Sequence, residues 1–346
     1  MLKQSAKSGL RTPAIIKELF DAKFRSSCMN RGPKSPIGLA ISGGVDSMAL
    51  ASLSARFAGE NDWSPELFGF IVDHKMRPES TEEALHVADE LAKININPRI
   101  LTLDWTSAGD PSKLDHIESA ARRLRYQALG RACRDLSIRS LLVAHHIDDV
   151  AETVLIRLIH SFYGSGLRGI LSERQIPECE GFYGVHESGR PCAHGESHMQ
   201  TEAGGVRLLR PLLALQKAEL LNYCREVGVS WFEDPTNRDP TLTTRNTVRF
   251  LQKRELLPVA LRTPRLLMLA KRATEAEATA ETLATEMFRK VPIRLDLSTG
   301  RATCKIRSSG LLENSLSTKE VNSVETCLRS WCSKFHILSI VFKQHV

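Results

Sequence analysis

Short runs of bulky apolar residues alternate with longer stretches of helical periodicity from residue 36 to about residue 161. Pro36-Ile37-Gly38-Leu39-Ala40 predicts a strand, Met48 to about Arg56 a helix, and the intervening Ile41-Ser42-Gly43-Gly44-Val45-Asp46-Ser47 a tight glycine turn. Leu67 to Val72 predicts a second, buried strand that ends in Asp73-His74. A helix from about Thr81 to Lys93 leads to a third strand, Arg99 to Leu103. Ile117 to Leu136 reads as helix, Ser140 to Ala144 as a fourth strand, and Asp148 to about Ser161 as another helix. Strands alternating with helices at this spacing imply an α/β fold, a doubly wound parallel sheet covered on both faces. Ligands of such sheets bind beyond the carboxyl ends of the strands. The glycine turn, Asp73-His74 and His145-His146 all fall at such ends.

The pattern then changes. Residues 178–205 are rich in Gly, His, Glu and Ser and read as a flexible insertion rather than a core element. Regular structure resumes at Val206 to Pro211, and Lys217 to Val227 predicts an amphipathic helix stopped by Gly228. A helix-rich segment from about Arg245 to Arg289 is expected to break near Pro258 and Pro264. Residues 291–346 carry little periodicity. The expected organisation is a basic extension over 1–35, a catalytic domain over 36–243 containing the 178–205 insertion, and a mainly helical region over 244–346.

At 346 residues and 42% apolar composition the chain can bury a sizeable core in about two domains. A net charge of +7 and a pI near 9.0 suit an anionic partner such as RNA without singling one out. No apolar run approaches the ~20 residues of a membrane span, so no membrane role is expected. The eight cysteines are scattered without a Cys-x-x-Cys pair, which argues for a reducing compartment and against zinc ribbons and cysteine-held clusters. Cys179, Cys192, His194 and His198 are the nearest approach to a metal set. The first thirty-five residues hold eight Lys and Arg against Glu18 and Asp21, with serines interspersed. That composition fits a mitochondrial transit peptide. It equally fits an amphipathic helix from Pro13 to about Phe24 with Ile15, Ile16, Leu19 and Phe20 on one side. The mitochondrial matrix is placed ahead of the cytoplasm.

The glycine turn carries the first chemistry. Backbone amides at a helix mouth, unobstructed at Gly43 and Gly44, cradle pyrophosphate oxygens, and the helix dipole adds to the attraction. The turn lacks the Gly-Lys-Ser/Thr of a Walker A loop, so it suits transfer of AMP with pyrophosphate as leaving group better than transfer of the terminal phosphoryl. It resembles the PP-loop of N-type ATP pyrophosphatases; the competing reading is a solvated Gly-Ser turn. Asp149 and Glu152, three residues apart, project from one side of a first helical turn and form a small anionic pocket. Acidic residues also stabilise helix starts, and Asp148 sits where a cap belongs. His145 stands just past the fourth strand, within reach of a phosphate, although a histidine there is commonly structural.

Several segments occur in the order seen in tRNA(Ile)-lysidine synthetases, and residues 37–250 resemble that family. They are the Ser42 to Ser47 loop, Val72-Asp73-His74 with Arg77-Pro78-Glu79-Ser80, Arg122 to Tyr126, His145 to Thr153, Gly164 to Gly169, Leu209 to Leu213, Glu233 to Asn237, and Arg245 to Arg249. The resemblance implies a PP-loop (Rossmann-like) domain that uses ATP and Mg²⁺ to attach L-lysine to the wobble cytidine of tRNA(Ile) with a CAU anticodon. It implies that Ser42, Gly43, Gly44, Val45, Asp46 and Ser47 hold the triphosphate, with Asp46 helping to place Mg²⁺. It further implies that the strand ending in Ile71-Val72 receives adenine and that Asp149 and Glu152 recognise lysine. Arg125, His145 and Arg245 are implied catalytic positions, and the C-terminal region an RNA contact. Lys75-Met76 departs from the family's usual Gly-Leu. The alternatives are a PP-loop tRNA thiolase, disfavoured by the missing Cys-x-x-Cys, and an inactive nucleotide- or RNA-binding module.

Overall fold

The computed structural model describes residues 10–28, 35–60, 64–76, 79–106, 109, 116–193, 200–232, 243–290, 293–296, 298 and 301–304. The chain runs α1 (Pro13–Cys28), β1 (Ile37–Ile41), α2 (Val45–Glu60), β2 (Leu67–Asp73), α3 (Ser80–Lys93), β3 (Asn97–Thr102), α4 (Ile117–Asp135), β4 (Ser140–Leu142) and α5 (Ile147–Ile159). It continues through β5 (Glu173–Gln175), β6 (His186–Ala193), β7 (Gln200–Gly205), β8 (Arg207–Leu209), α6 (Lys217–Val227), α7 (Thr244–Lys253), α8 (Thr263–Lys290), β9 (Ile293–Asp296) and β10 (Arg301–Cys304).

The main sheet has six strands in the order β3-β2-β1-β4-β8-β5, parallel except for β5, which pairs antiparallel with β8. The α/β, doubly wound class expected from the alternation is therefore the class observed. From β1 the chain moves outward to β3 and then returns to lay β4 on the other side of β1. The carboxyl ends of β1 and β4 therefore flank the switch point, where sheets of this class bind their ligands.

Strand periodicity divides the core into two layers. Leu39, Leu67, Ile71 and Leu142 face one layer with Ile16, Phe20, Phe57, Leu91 and Tyr223 from the helices. Phe68, Phe70, Leu141 and Val143 face the other with Tyr126, Leu129 and Cys133 of α4. In α1 the buried residues are Ile16, Phe20, Phe24 and Cys28, four apart, while Ile15 and Leu19 are 45% and 41% exposed. The expected face of Ile15, Ile16, Leu19 and Phe20 is thus rotated. A packed helix buries a narrow i, i+4 row when it leans on neighbours along one seam, and here Phe24 lies against Phe20 and Phe57 at ring-centroid distances of 5.3 and 4.7 Å.

One other expectation changes. Within the stretch read as a flexible insertion, β6 and β7 form an antiparallel hairpin with a register shift between His186 and Gly189. Its base is core: Cys179 and Val185 are fully buried against Gly130 of α4, where a Cβ would lie 2.6 Å from Val185 Cγ1 and 3.0 Å from Cys179 Sγ. Polar hairpin strands show no apolar alternation, so their pairing leaves little trace in composition. The break expected near Pro258 and Pro264 is present, between Lys253 of α7 and Thr263 of α8. Pro264 sits in the first turn of α8, where its missing N–H would have had no intrahelical partner.

The chain divides into two compact units, residues 1–150 with 170–246 and residues 151–169 with 247–346. The first holds the six-stranded sheet. In the second, Arg157 Nη1 donates to the carbonyls of Gly166 and Gly169 at 2.6 and 3.1 Å, which pins the 3₁₀ turn Gly164–Arg168 to the end of α5.

Candidate active site

The Ser-Gly-Gly loop is shaped by its own polar groups. Gly43 has φ +82°, and a Cβ there would lie 2.7 Å from Val87 Cγ2, so both conformation and space call for glycine. Its carbonyl accepts from Phe232 N at 2.9 Å. Ser47, only 4% exposed, donates from Oγ to the Gly44 carbonyl at 2.9 Å and accepts from Ser42 N and Ser42 Oγ at 3.2 Å each. Ser47 therefore closes the loop, and Val45 is buried beneath it. The first N–H groups of α2 have no intrahelical acceptor and make the loop mouth an anion site.

At that mouth Asp46 Oδ2 lies 3.3 Å from Lys217 Nζ and 3.7 Å from His146 Nε2. Its Oδ1 is buried with no hydrogen-bond partner among the described residues. Such an oxygen beside a phosphate cradle fits Mg²⁺, which takes one or two carboxylates and fills its other positions with water and phosphate oxygens. The described residues hold no group of three or more His, Cys, Asp or Glu able to bind a metal alone. Cys179 is a core residue, and His194 and His198 lie outside the described residues.

The start of α5 is a polar knot. Buried His146 has Nε2 3.5 Å from Asp149 Oδ2 and Nδ1 3.5 Å from Asp148 Oδ2. Asp149, 7% exposed, accepts from His146 N at 3.0 Å. Asp148 accepts from Lys217 N at 2.8 Å, so it caps α6 from outside rather than capping its own helix. One turn further along α5, in the second unit, Glu152 is 3% exposed and its Oε1 lies 2.7 Å from Arg249 Nε. The expected lysine-recognising carboxylates are thus both buried, and Glu152 has an arginine partner that spacing alone does not reveal.

His145 follows β4, and its Nδ1 accepts from Arg210 Nε at 3.3 Å. Burial and the Arg210 charge, assisted by Arg245 and Arg125 and only partly opposed by Asp149, push its pKa down to about 4. The imidazole is neutral at neutral pH. Arg210 is 5% exposed and donates from Nη1 to the Leu171 carbonyl at 2.6 Å. Burial lowers its pKa to about 10, which leaves it charged at neutral pH. Arg125 lies beside Tyr126 on α4, 5.4 Å from guanidinium carbon to ring centroid. Arg245 is in the first turn of α7, behind Thr243, whose Oγ1 accepts from Asn246 N at 3.1 Å.

At the end of β2, Ile71 packs into one core layer and Val72 against the other, so this edge offers an adenine chiefly main chain. Burial alone would raise the Asp73 carboxyl, but Ser80 Oγ at 2.7 Å, Thr81 Oγ1 at 2.8 Å and Lys75 N at 3.0 Å outweigh it and bring the pKa to about 2. Asp73 is thereby committed to the β2–α3 turn. Arg77-Pro78 and Glu233 to Asn237 lie outside the described residues. Arg210 and Lys217 are the site residues that the reading of single positions missed. Their signal is a cation placed directly after a buried strand, or at a helix start, on the sheet's carboxyl side.

A family model described as a PP-loop domain matches residues 16–258. The chain belongs to the PP-loop family. This PP-loop chain is 37% identical over 226 residues to a probable tRNA(Ile)-lysidine synthase of Schizosaccharomyces pombe, covering 64% of this chain and 45% of that protein. It is 36% identical over 247 residues to a tRNA(Ile)-lysidine synthase of a Bradyrhizobium species, covering 71% and 59%. The chain thus spans about half the length of these relatives. Among solved structures it is similar in fold to the U34-tRNA thiolase NcsA from Methanococcus maripaludis. That likeness has a TM-score of 0.53 at 16% identity and covers 76% of this chain and 80% of the other.

Proposed function

We propose that this PP-loop protein is a carbon–nitrogen ligase that attaches L-lysine to the wobble cytidine of tRNA(Ile) bearing a CAU anticodon, using ATP. The carbonyl carbon of cytosine is a poor electrophile and its oxygen a poor leaving group. The carbonyl oxygen therefore first attacks the α-phosphorus of ATP, and pyrophosphate leaves. The lysine ε-amine then adds to the same ring carbon, AMP departs with the oxygen, and the amine gives up a proton.

The observation that carries this reading is the arrangement on the carboxyl side of the sheet. A pyrophosphate cradle follows β1, and neutral His145 follows β4 in the field of Arg210, Arg245 and Arg125. Three cations around an uncharged imidazole suit a polyanion, and preorganised donors aimed at developing phosphate charge supply much of the catalysis of such transfers. When bound, Mg²⁺ would neutralise phosphate charge from Asp46, with Lys217 standing at the same mouth. Asp149 and Glu152 on α5 would anchor the ammonium groups of lysine. The basic residues of α7 and the region beyond would meet the tRNA.

The first half-reaction is the direct test. Incubation with α-labelled ATP and a tRNA(Ile) transcript, lysine omitted, should move label onto the tRNA and release pyrophosphate. Nucleotide binding without transfer would overturn the proposal.

A further inference from the structure

We propose that Arg210 is a positioning residue that fixes His145 as its Nε2–H tautomer, so that His145 meets the substrate phosphate as a neutral hydrogen-bond donor. The role at phosphate rests on the function proposed above; the tautomer does not. A guanidinium has donors and no acceptor, so the Arg210 Nε–H to His145 Nδ1 contact at 3.3 Å identifies Nδ1 as the lone-pair nitrogen. The single proton of a neutral imidazole is then on Nε2. A proton on Nδ1 would set two N–H groups against each other.

Arg210 is held where it does this. Its Nη1 donates to Leu171 O at 2.6 Å, its backbone N donates to Ser172 O at 2.9 Å, and the residue is almost wholly buried. The other charged groups that act on His145 are Arg125 of α4, Arg245 of α7 and Asp149 of α5. Burial, together with three cations against one carboxylate, leaves the ring uncharged. This matters because a nearby triphosphate ordinarily draws a proton onto a histidine. With Nδ1 occupied and Nε2 already protonated, His145 has no free lone pair to act as general base. It donates from Nε2 to a phosphate oxygen as an uncharged group.

Histidine-selective ¹⁵N NMR of the full chain from pH 5.5 to 8 tests this, with His145 assigned by the signal lost in His145→Gln. The expected spectrum has a protonated Nε2, an unprotonated Nδ1 and no titration near 6.5. A proton on Nδ1, or titration in the ordinary imidazole range, would overturn the proposal whatever the substrate proves to be. In Arg210→Met, Nδ1 loses its donor and one of the cations that disfavour a proton on the ring, so the His145 titration should move upward and the Nδ1–H tautomer should become populated. Arg210→Lys, which keeps a cation and a donor, should restore the wild-type spectrum. A Met variant with the wild-type spectrum would also contradict the proposal. If that variant does not fold, the wild-type spectrum decides alone. Loss of AMP transfer in the wild type, with the tautomer as stated, would count against the function and leave the Arg210–His145 assignment standing.

Discussion

Asp46 is the loop side chain free to do chemistry, because Ser47 is turned inward to close the turn. Asp46→Ala should abolish transfer of AMP to tRNA. Its contact with the half-exposed Lys217 is worth only about 0–1 kcal/mol, so thermal melting should barely change. Activity retained by the variant would remove Asp46 from the metal and phosphate account. Glu152→Gln tests the other end of the reaction. A charge-assisted hydrogen bond of roughly 1.5–3 kcal/mol corresponds to about a tenfold to 150-fold rise in the lysine requirement. Steady-state titration with lysine reads this, while adenylation without lysine should persist. Equal loss of both half-reactions would mean that the Arg249–Glu152 pair is structural. Titration also leaves a mark on stability. Below pH 6.5 the unfolded chain binds a proton that folded His145 refuses down to about 4, so this residue makes stability fall as pH drops through that window. Asp73, held at about 2, adds a further loss between roughly pH 4 and 2, where the unfolded carboxyl is protonated first. Urea unfolding across pH should show both declines, and Asp73→Asn should remove the lower one.

Among the elements, α1 is the one whose role composition leaves undecided. Its buried row makes it part of the first unit's core, so Phe20→Ala should cost about 3–5 kcal/mol, whereas Leu19→Ala should stay within about 0.5 kcal/mol. Chemical denaturation distinguishes them, and equal small effects would show that α1 does not dock. The middle of the sheet was legible because β1, β2 and β4 are buried on both faces and read as unbroken apolar runs, as at Leu67 to Val72. The loop and the α5 carboxylates were legible because their chemistry is local in sequence. Arg210 beside His145, Lys217 beside Asp46 and Arg249 beside Glu152 were not, since each pair joins residues 65 to 171 positions apart. The β6–β7 hairpin was hidden for a different reason. Its positive-φ glycines, Gly189, Gly204 and Gly205, read as loop although here they sit within a paired ribbon.

Across the whole molecule, the net charge of +7 matters through its placement as well as its size. Arg245, Arg249, Lys253 and Arg254 lie within or directly after α7. If tRNA binding neutralises about six phosphates, affinity should fall by about a thousandfold between 50 and 200 mM salt. Binding titrations across that range check this, and a flat response would remove the RNA-contact role of the basic residues. The product of the reaction is the deciding quantity. Purified protein is incubated with ATP, L-lysine and a CAU-anticodon tRNA(Ile) transcript, and the tRNA is digested to nucleosides for mass spectrometry. A cytidine heavier by one lysine less one water should form, and only when lysine is present. Cytidine left unmodified, or carrying sulfur once a sulfur donor is supplied, would contradict the proposed function.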